Sequence, residues 1–229
     1  MPEKTRAPGP QRHGQDELSV VRNSLRRLYK DISGYDIPRD EEKAIRERRG
    51  SPTYGESNVG SVQKLIDHLQ LGTNDVVYDL GSGVGKMVLQ VAMTTSVRKC
   101  VGIEMAPSRH QGARAALTRA RELGLLRARE CEFFRGDFME ADLADATVIY
   151  TCSTTFSDRL MRRLTLKLST LSPGLRFITT RHPIVRHGFE EDAELRLDMS
   201  WHRRSPVFIY RLPVKSRGRR APRSNAERS

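Results

Sequence analysis

Asp79-Leu80-Gly81-Ser82-Gly83-Val84-Gly85-Lys86 places a carboxylate two residues before three glycines at alternate positions, with a lysine directly after them. Glycines so spaced allow a sharp turn whose backbone N–H groups approach a ligand at the carboxyl end of a strand. A phosphate loop requires glycine five residues before the Gly-Lys pair and Ser or Thr after it; Leu80 and Met87 stand there instead, which disfavours ATP and GTP. A dinucleotide fingerprint requires its third glycine at the position of Lys86, which disfavours NAD and FAD.

The acid followed by Gly-x-Gly-x-Gly is similar to the pattern of S-adenosylmethionine-dependent methyltransferases, so S-adenosylmethionine is the expected cofactor. Asp79 then sits beside the donor's ammonium, and Gly81, Ser82, Gly83 and Lys86 are further donor-binding candidates. Glu104 closes the run "CVGIE" 25 residues after Asp79, where an acid hydrogen-bonds the ribose hydroxyls. In "RGDFME", Asp137 offers a carboxylate to an adenine amine and Phe138 a ring for stacking.

These residues need a scaffold that brings strand ends together. From Val76 onward, apolar strand-like runs alternate with helical ones: strands Val76 to Leu80, Cys100 to Glu104, Glu132 to Arg135, Thr147 to Thr151 and Arg176 to Thr180, and helices Lys86 to Thr95, Ser108 to Leu123 and Asp158 to Leu171. This rhythm predicts an α/β fold with a mostly parallel, Rossmann-like sheet and helices on both faces. Two last runs, Leu195 to Trp201 and Val207 to Leu212, read as an antiparallel hairpin at one edge, as in class I methyltransferases. Upstream, Leu18, Val21, Leu25 and Leu28 predict a helix over Asp16 to Lys30, and a second helix begins after Asn58 and stops near Gly72. The expected organisation is a disordered arm (1–15), a helical segment with a cofactor loop (16–72), a catalytic domain (73–213) and a basic disordered tail (214–229).

The chain of 229 residues carries a net charge of +12, which favours a polyanionic partner. Arg211 to Ser229 holds seven basic residues and one acid, half of that net charge. No apolar run is long enough to span a membrane, and the polar N-terminus does not read as a secretory signal. Cys100, Cys131 and Cys152 are expected to be reduced thiols, and no cluster has metal-ligand spacing.

Tyr54-Gly55-Glu56-Ser57, ahead of the first strand, has no general role in such enzymes. Together with the Asp79 to Gly85 turn, the Val88 to Ala92 helix, Gly102 to Glu104 and Gly136 to Phe138, it resembles the disruptor-of-telomeric-silencing family of histone H3 lysine methyltransferases, nuclear enzymes that lack the SET fold. The likeness spans about residues 52 to 212, including "SPGLRFITTRHP" and "MSWHRRSPVFIY". It implies that Tyr54, Glu56 and Ser57 fold over the donor's methionine part. It also implies a nuclear enzyme whose substrate is a lysine on the globular core of histone H3 in nucleosomes, with the tail from Lys215 to Arg228 contacting DNA. The chain departs from the family in one segment, where Cys152-Ser153-Thr154-Thr155-Phe156 replaces an Asn-Asn-aromatic-Ala-Phe run. Phe156, Cys152 and Tyr210 are the expected catalytic residues, Phe156 and Tyr210 as the wall of the lysine channel and Cys152 in the place of the family's first asparagine. Two other readings stand beside this one: an RNA or other protein methyltransferase of the same fold, and a catalytically silent nucleoprotein-binding module.

Overall fold

The computed structural model describes residues 12–48, 50–181 and 183–214. The segment from Lys215 to Arg228 expected to meet DNA lies outside the described residues. Helices α1 (Arg12–Leu28), α2 (Arg39–Glu47) and α3 (Val59–Leu69) precede strand β1 (Val76–Leu80). There follow α4 (Lys86–Thr94), β2 (Lys99–Glu104), α5 (Pro107–Glu122), β3 (Glu130–Arg135) and β4 (Val148–Thr151). A 3₁₀ turn (Ser153–Thr155), α6 (Asp158–Leu168), β5 (Arg176–Thr180), β6 (Glu190–Leu197) and β7 (Ser205–Arg211) complete the order.

The strands form one seven-stranded sheet in the order β3-β2-β1-β4-β5-β7-β6. The first five are parallel, and β7 is antiparallel to both β5 and β6. The expected parallel sheet with a closing hairpin is therefore present. β1 is central and buried along its whole length, which explains its continuous apolar run and makes buried Asp79 conspicuous. α1, α3, α4 and α5 pack on one face, around Leu28, Leu65, Leu89 and Ala113. The other face is covered by α6 and by the β3–β4 connection, around Leu164, Leu168 and Leu143.

Three elements differ from the sequence expectation. α1 begins at Arg12 rather than Asp16, inside the stretch expected to be an unstructured arm. α2 forms within a polar stretch in which Ile45 alone is buried, so apolar periodicity gave no signal. β6 begins five residues early and ends at Leu197. Its charged first half tolerates exposure at a sheet edge, and charge there also discourages pairing with another chain. Residues 198–201, expected in that strand, form a loop. Asp198 Oδ1 accepts the Arg204 amide at 2.9 Å, and the Asp198 carbonyl accepts Ser61 Oγ at 2.7 Å.

Candidate donor and acceptor site

Gly81, Gly83 and Gly85 all have positive φ (81°, 55° and 83°), so the turn after β1 takes a path that L side chains rarely adopt. The turn is held from outside: Tyr29 Oη donates to the Val84 carbonyl at 2.8 Å. Glu104, at the end of the neighbouring strand, accepts the amides of Gly83 and Ala106, one on each carboxylate oxygen, both at 2.8 Å. These bonds fix the carboxylate while leaving each oxygen a lone pair for a ligand hydroxyl. Asp79, 4% exposed, has its carboxyl pushed up to about 8, first by burial and then by the charge of Glu104.

The Tyr-Gly-Glu-Ser loop lies across this turn. Tyr54 Oη donates to Glu56 Oε1 at 2.6 Å, and Glu56 Oε2 accepts Lys86 Nζ at 2.7 Å. Burial, then the charge of Glu56, raise the Tyr54 phenol well above its ordinary range, so it remains a donor. Loop residues 198–201 clamp the far side. Ser57 bridges Met199, Ser200 and Glu56 exchange hydrogen bonds at 2.8 and 3.1 Å, and Trp201 packs on Gly55, where a Cβ would stand 2.5 Å from the indole. Ser57 Oγ lies 2.9 Å from Tyr150 Oη.

Apart from Gly83 and Tyr210, the expected site residues line two adjoining cavities. Glu104, Asp137, Phe138 and Phe156 line the larger one. Glu56, Ser57, Asp79, Ser82 and Lys86 line the smaller. Tyr54, Gly81 and Cys152 border both. Phe138 and Phe156 stack with centroids 5.6 Å apart and planes 24° from parallel, and Phe156 Cζ lies 3.7 Å from where a Cβ on Gly81 would stand. Asp137 turns the loop by accepting the Met139 amide at 2.8 Å. Cys152 Sγ is 3.6 Å from Thr154 Oγ1 and 4.0 Å from Thr180 Oγ1, and burial raises its thiol pKa, so it is neutral rather than a nucleophilic thiolate.

One site expectation is corrected. Tyr210 lies outside both cavities. It is fully buried on the α6 face of the sheet, stacked on Phe208, with its hydroxyl accepting the Ile184 amide at 3.3 Å. Strand alternation sends Ile209, not Tyr210, to the opposite face. Lys86 lines the smaller cavity with its Nζ on Glu56 at 2.7 Å and 5.3 Å from the Tyr29 ring centroid.

Arg109, Tyr150 and Trp201 belong to the site but were not among the expected residues. Arg109 is 4% exposed; it donates to the Gly34 and Pro52 carbonyls at 2.9 and 2.7 Å and lies 4.7 Å from the Tyr54 ring centroid. No motif marks it. Tyr150 reads as an ordinary strand residue, and Trp201 sits in a run that reads as strand. Among the described residues, no three His, Cys, Asp or Glu side chains group closely enough to hold a metal, and no helix is long and apolar enough to cross a membrane.

The sequence profile of histone methylation protein DOT1 matches residues 42–200. The chain is 29% identical over 136 residues to a Drosophila melanogaster histone-lysine N-methyltransferase specific for H3 lysine-79, covering 56% of this chain and 7% of that protein. It is 32% identical over 140 residues to the Caenorhabditis elegans enzyme of the same description, covering 57% and 15%. It thus spans a small fraction of the length of these relatives. A protein-lysine N-methyltransferase of Saccharolobus islandicus is 28% identical over 129 residues, covering 56% of this chain and 71% of that one. Among solved structures, an RNA methyltransferase from Salinibacter ruber in complex with S-adenosyl-L-homocysteine superposes with a TM-score of 0.55 and 28% identity, covering 68% of this chain and 92% of that chain. With the matched profile spanning both the Tyr-Gly-Glu-Ser loop and the whole donor turn, the chain belongs to the histone methylation protein DOT1 family.

Proposed function

We propose that this protein is an S-adenosylmethionine-dependent methyltransferase acting on a lysine of histone H3 within nucleosomes, and therefore a nuclear, chromatin-modifying enzyme. The observation that carries the donor assignment is Asp79, a buried carboxyl at a glycine turn that lines the smaller cavity, where burial and the charge of Glu104 disfavour its ionised form. A ligand ammonium relieves that cost, and the donor's amino-acid part carries one. Glu104, pinned by two amides, suits a ribose diol, and Asp137 and Phe138 suit the adenine. Once bound, S-adenosylmethionine supplies an electrophilic methyl group on a sulfonium.

At the acceptor end, the chain supplies Phe156, Cys152 and Trp201 along the larger cavity. The acids lining that cavity are Glu104 and Asp137, assigned here to ribose and adenine, while Asp79 and Glu56 line the smaller cavity that Cys152 also borders and are assigned to the donor ammonium and to the Tyr54–Lys86 latch. Removal of the proton then rests on desolvation: apolar walls disfavour the ammonium and lower its pKa before attack. The neutral Cys152 thiol and the Thr154 hydroxyl, both lining that cavity, offer weak polar contacts to the neutral amine.

An RNA substrate is the second reading, supported by the likeness to the Salinibacter ruber enzyme. Transfer of labelled methyl from S-adenosylmethionine to H3 in reconstituted nucleosomes, lost in Asp79→Ala, tests the first reading. Label absent from H3, with wild-type donor binding intact, rejects the histone substrate.

A further inference from the structure

We propose that a groove lined by His110, Gln111, Arg114, Thr118 and Arg135 binds a backbone phosphate of duplex DNA, beside the donor cavity and independent of the basic tail. His110 and Arg114 are four residues apart on α5, one turn above the other, and Arg135 ends the adjacent strand β3. Every polar side chain lining the groove can donate a hydrogen bond, and none is acidic. Among the described residues, neither arginine is engaged in an ion pair. Two guanidiniums sharing one groove repel each other, and a phosphate between them offsets that repulsion. Burial, then the charges of Arg114 and Arg135, lower the His110 pKa.

The groove is placed to meet a macromolecule that reaches the active site. Arg135 adjoins Gly136 and Asp137, and His110 follows Arg109, so the same two chain segments line the groove and the larger cavity. The phosphate chemistry follows from the groove itself; the choice of duplex DNA rests on the nucleosomal reading above. Lys167, which an α6 contact with DNA would recruit, is unsuited to it: its Nζ is spent on the carbonyls of Phe138, Met139 and Ala141 at 3.1, 2.8 and 2.6 Å.

The test compares the 229-residue chain with an Arg114→Gln/Arg135→Gln variant for binding to non-specific duplex DNA between about 50 and 200 mM salt. Each lost phosphate contact flattens the log–log salt slope by about 0.9, so the double variant, which removes the one proposed contact, should lose about 0.9 while keeping wild-type affinity for S-adenosylmethionine. An unchanged slope overturns the proposal. So does a parallel loss of donor affinity, which would make the groove part of the donor site, or a slope change seen only with single-stranded RNA. In the wild-type protein, saturating duplex DNA should raise the His110 pKa followed by NMR; no rise overturns the contact without any variant.

Discussion

Tyr54 lies directly over Gly83, so closely that a Cβ on Gly83 would overlap its ring at Cε2. The ring is latched there by the Tyr54–Glu56–Lys86 chain of hydrogen bonds and by the Arg109 guanidinium on its face. A methyl group at Gly83 must both occupy a positive-φ position and displace the ring. Gly83→Ala should therefore weaken S-adenosylmethionine binding by about tenfold or more, roughly 1.4 kcal/mol. Calorimetric titration of a variant shown to be folded by circular dichroism checks this.

Lys86 is read as a latch acting through Glu56 rather than as a donor contact. Their salt bridge is partly exposed, with side chains 34% and 18% accessible, so its worth to stability is modest. Glu56→Gln and Lys86→Met should each weaken donor binding, and the double variant should be little worse than either single one. Additive losses in that double-mutant cycle would return Lys86 to direct contact.

Asp79 links donor binding to pH. Its folded-state pKa is raised from 3.8 to about 8, so the native protein binds a proton that the unfolded chain has released. Stability of the donor-free protein from this group therefore falls as pH rises from about 4 through 8. Asp79→Asn should melt above wild type at pH 8 and show no thermal shift with S-adenosylmethionine. Wild-type affinity for the donor should increase from pH 6 to 8, because the ammonium partners the carboxylate. Calorimetry across that range, in buffers of differing ionisation enthalpy, should detect proton release on binding.

The buried strands were legible because their whole surface is apolar: β1 and β5 have the limits read from sequence. The donor turn and Glu104 were legible because glycine and acid at fixed positions have few other uses. The edge strand β6 was not, since Glu190, Glu191 and Asp192 carry no inward apolar signal. Tyr210 was misplaced because adjacent strand residues face opposite ways, and a likeness in residue type does not carry phase. Arg109 and the latch between Glu56 and Lys86 join residues far apart in sequence, and only the folded chain brings them together.

Phe156 packs between Gly81 and Phe138 in the wall of the larger cavity. An unperturbed lysine has a pKa of about 10.4, so reaching the neutral amine near pH 7.4 costs roughly 4 kcal/mol. With Asp79 and Glu56 assigned to the donor ammonium and the loop latch rather than to the lysine, the single-turnover rate on nucleosomes should climb as pH rises from about 7 to 9. Phe156→Ala should cut that rate by more than tenfold, an effect of at least about 1.4 kcal/mol on the barrier. Equal rates in the folded variant would remove Phe156 from the channel wall.

The most direct measurement of the central claim is donor-dependent methylation of whole nucleosomes, free histone H3 and total RNA side by side, with product residues identified by mass spectrometry. The expected result is a methylated lysine on the globular core of H3 in the nucleosome sample, with weaker transfer to free H3 and none to RNA. Transfer to RNA with H3 unmodified in both histone samples would contradict it.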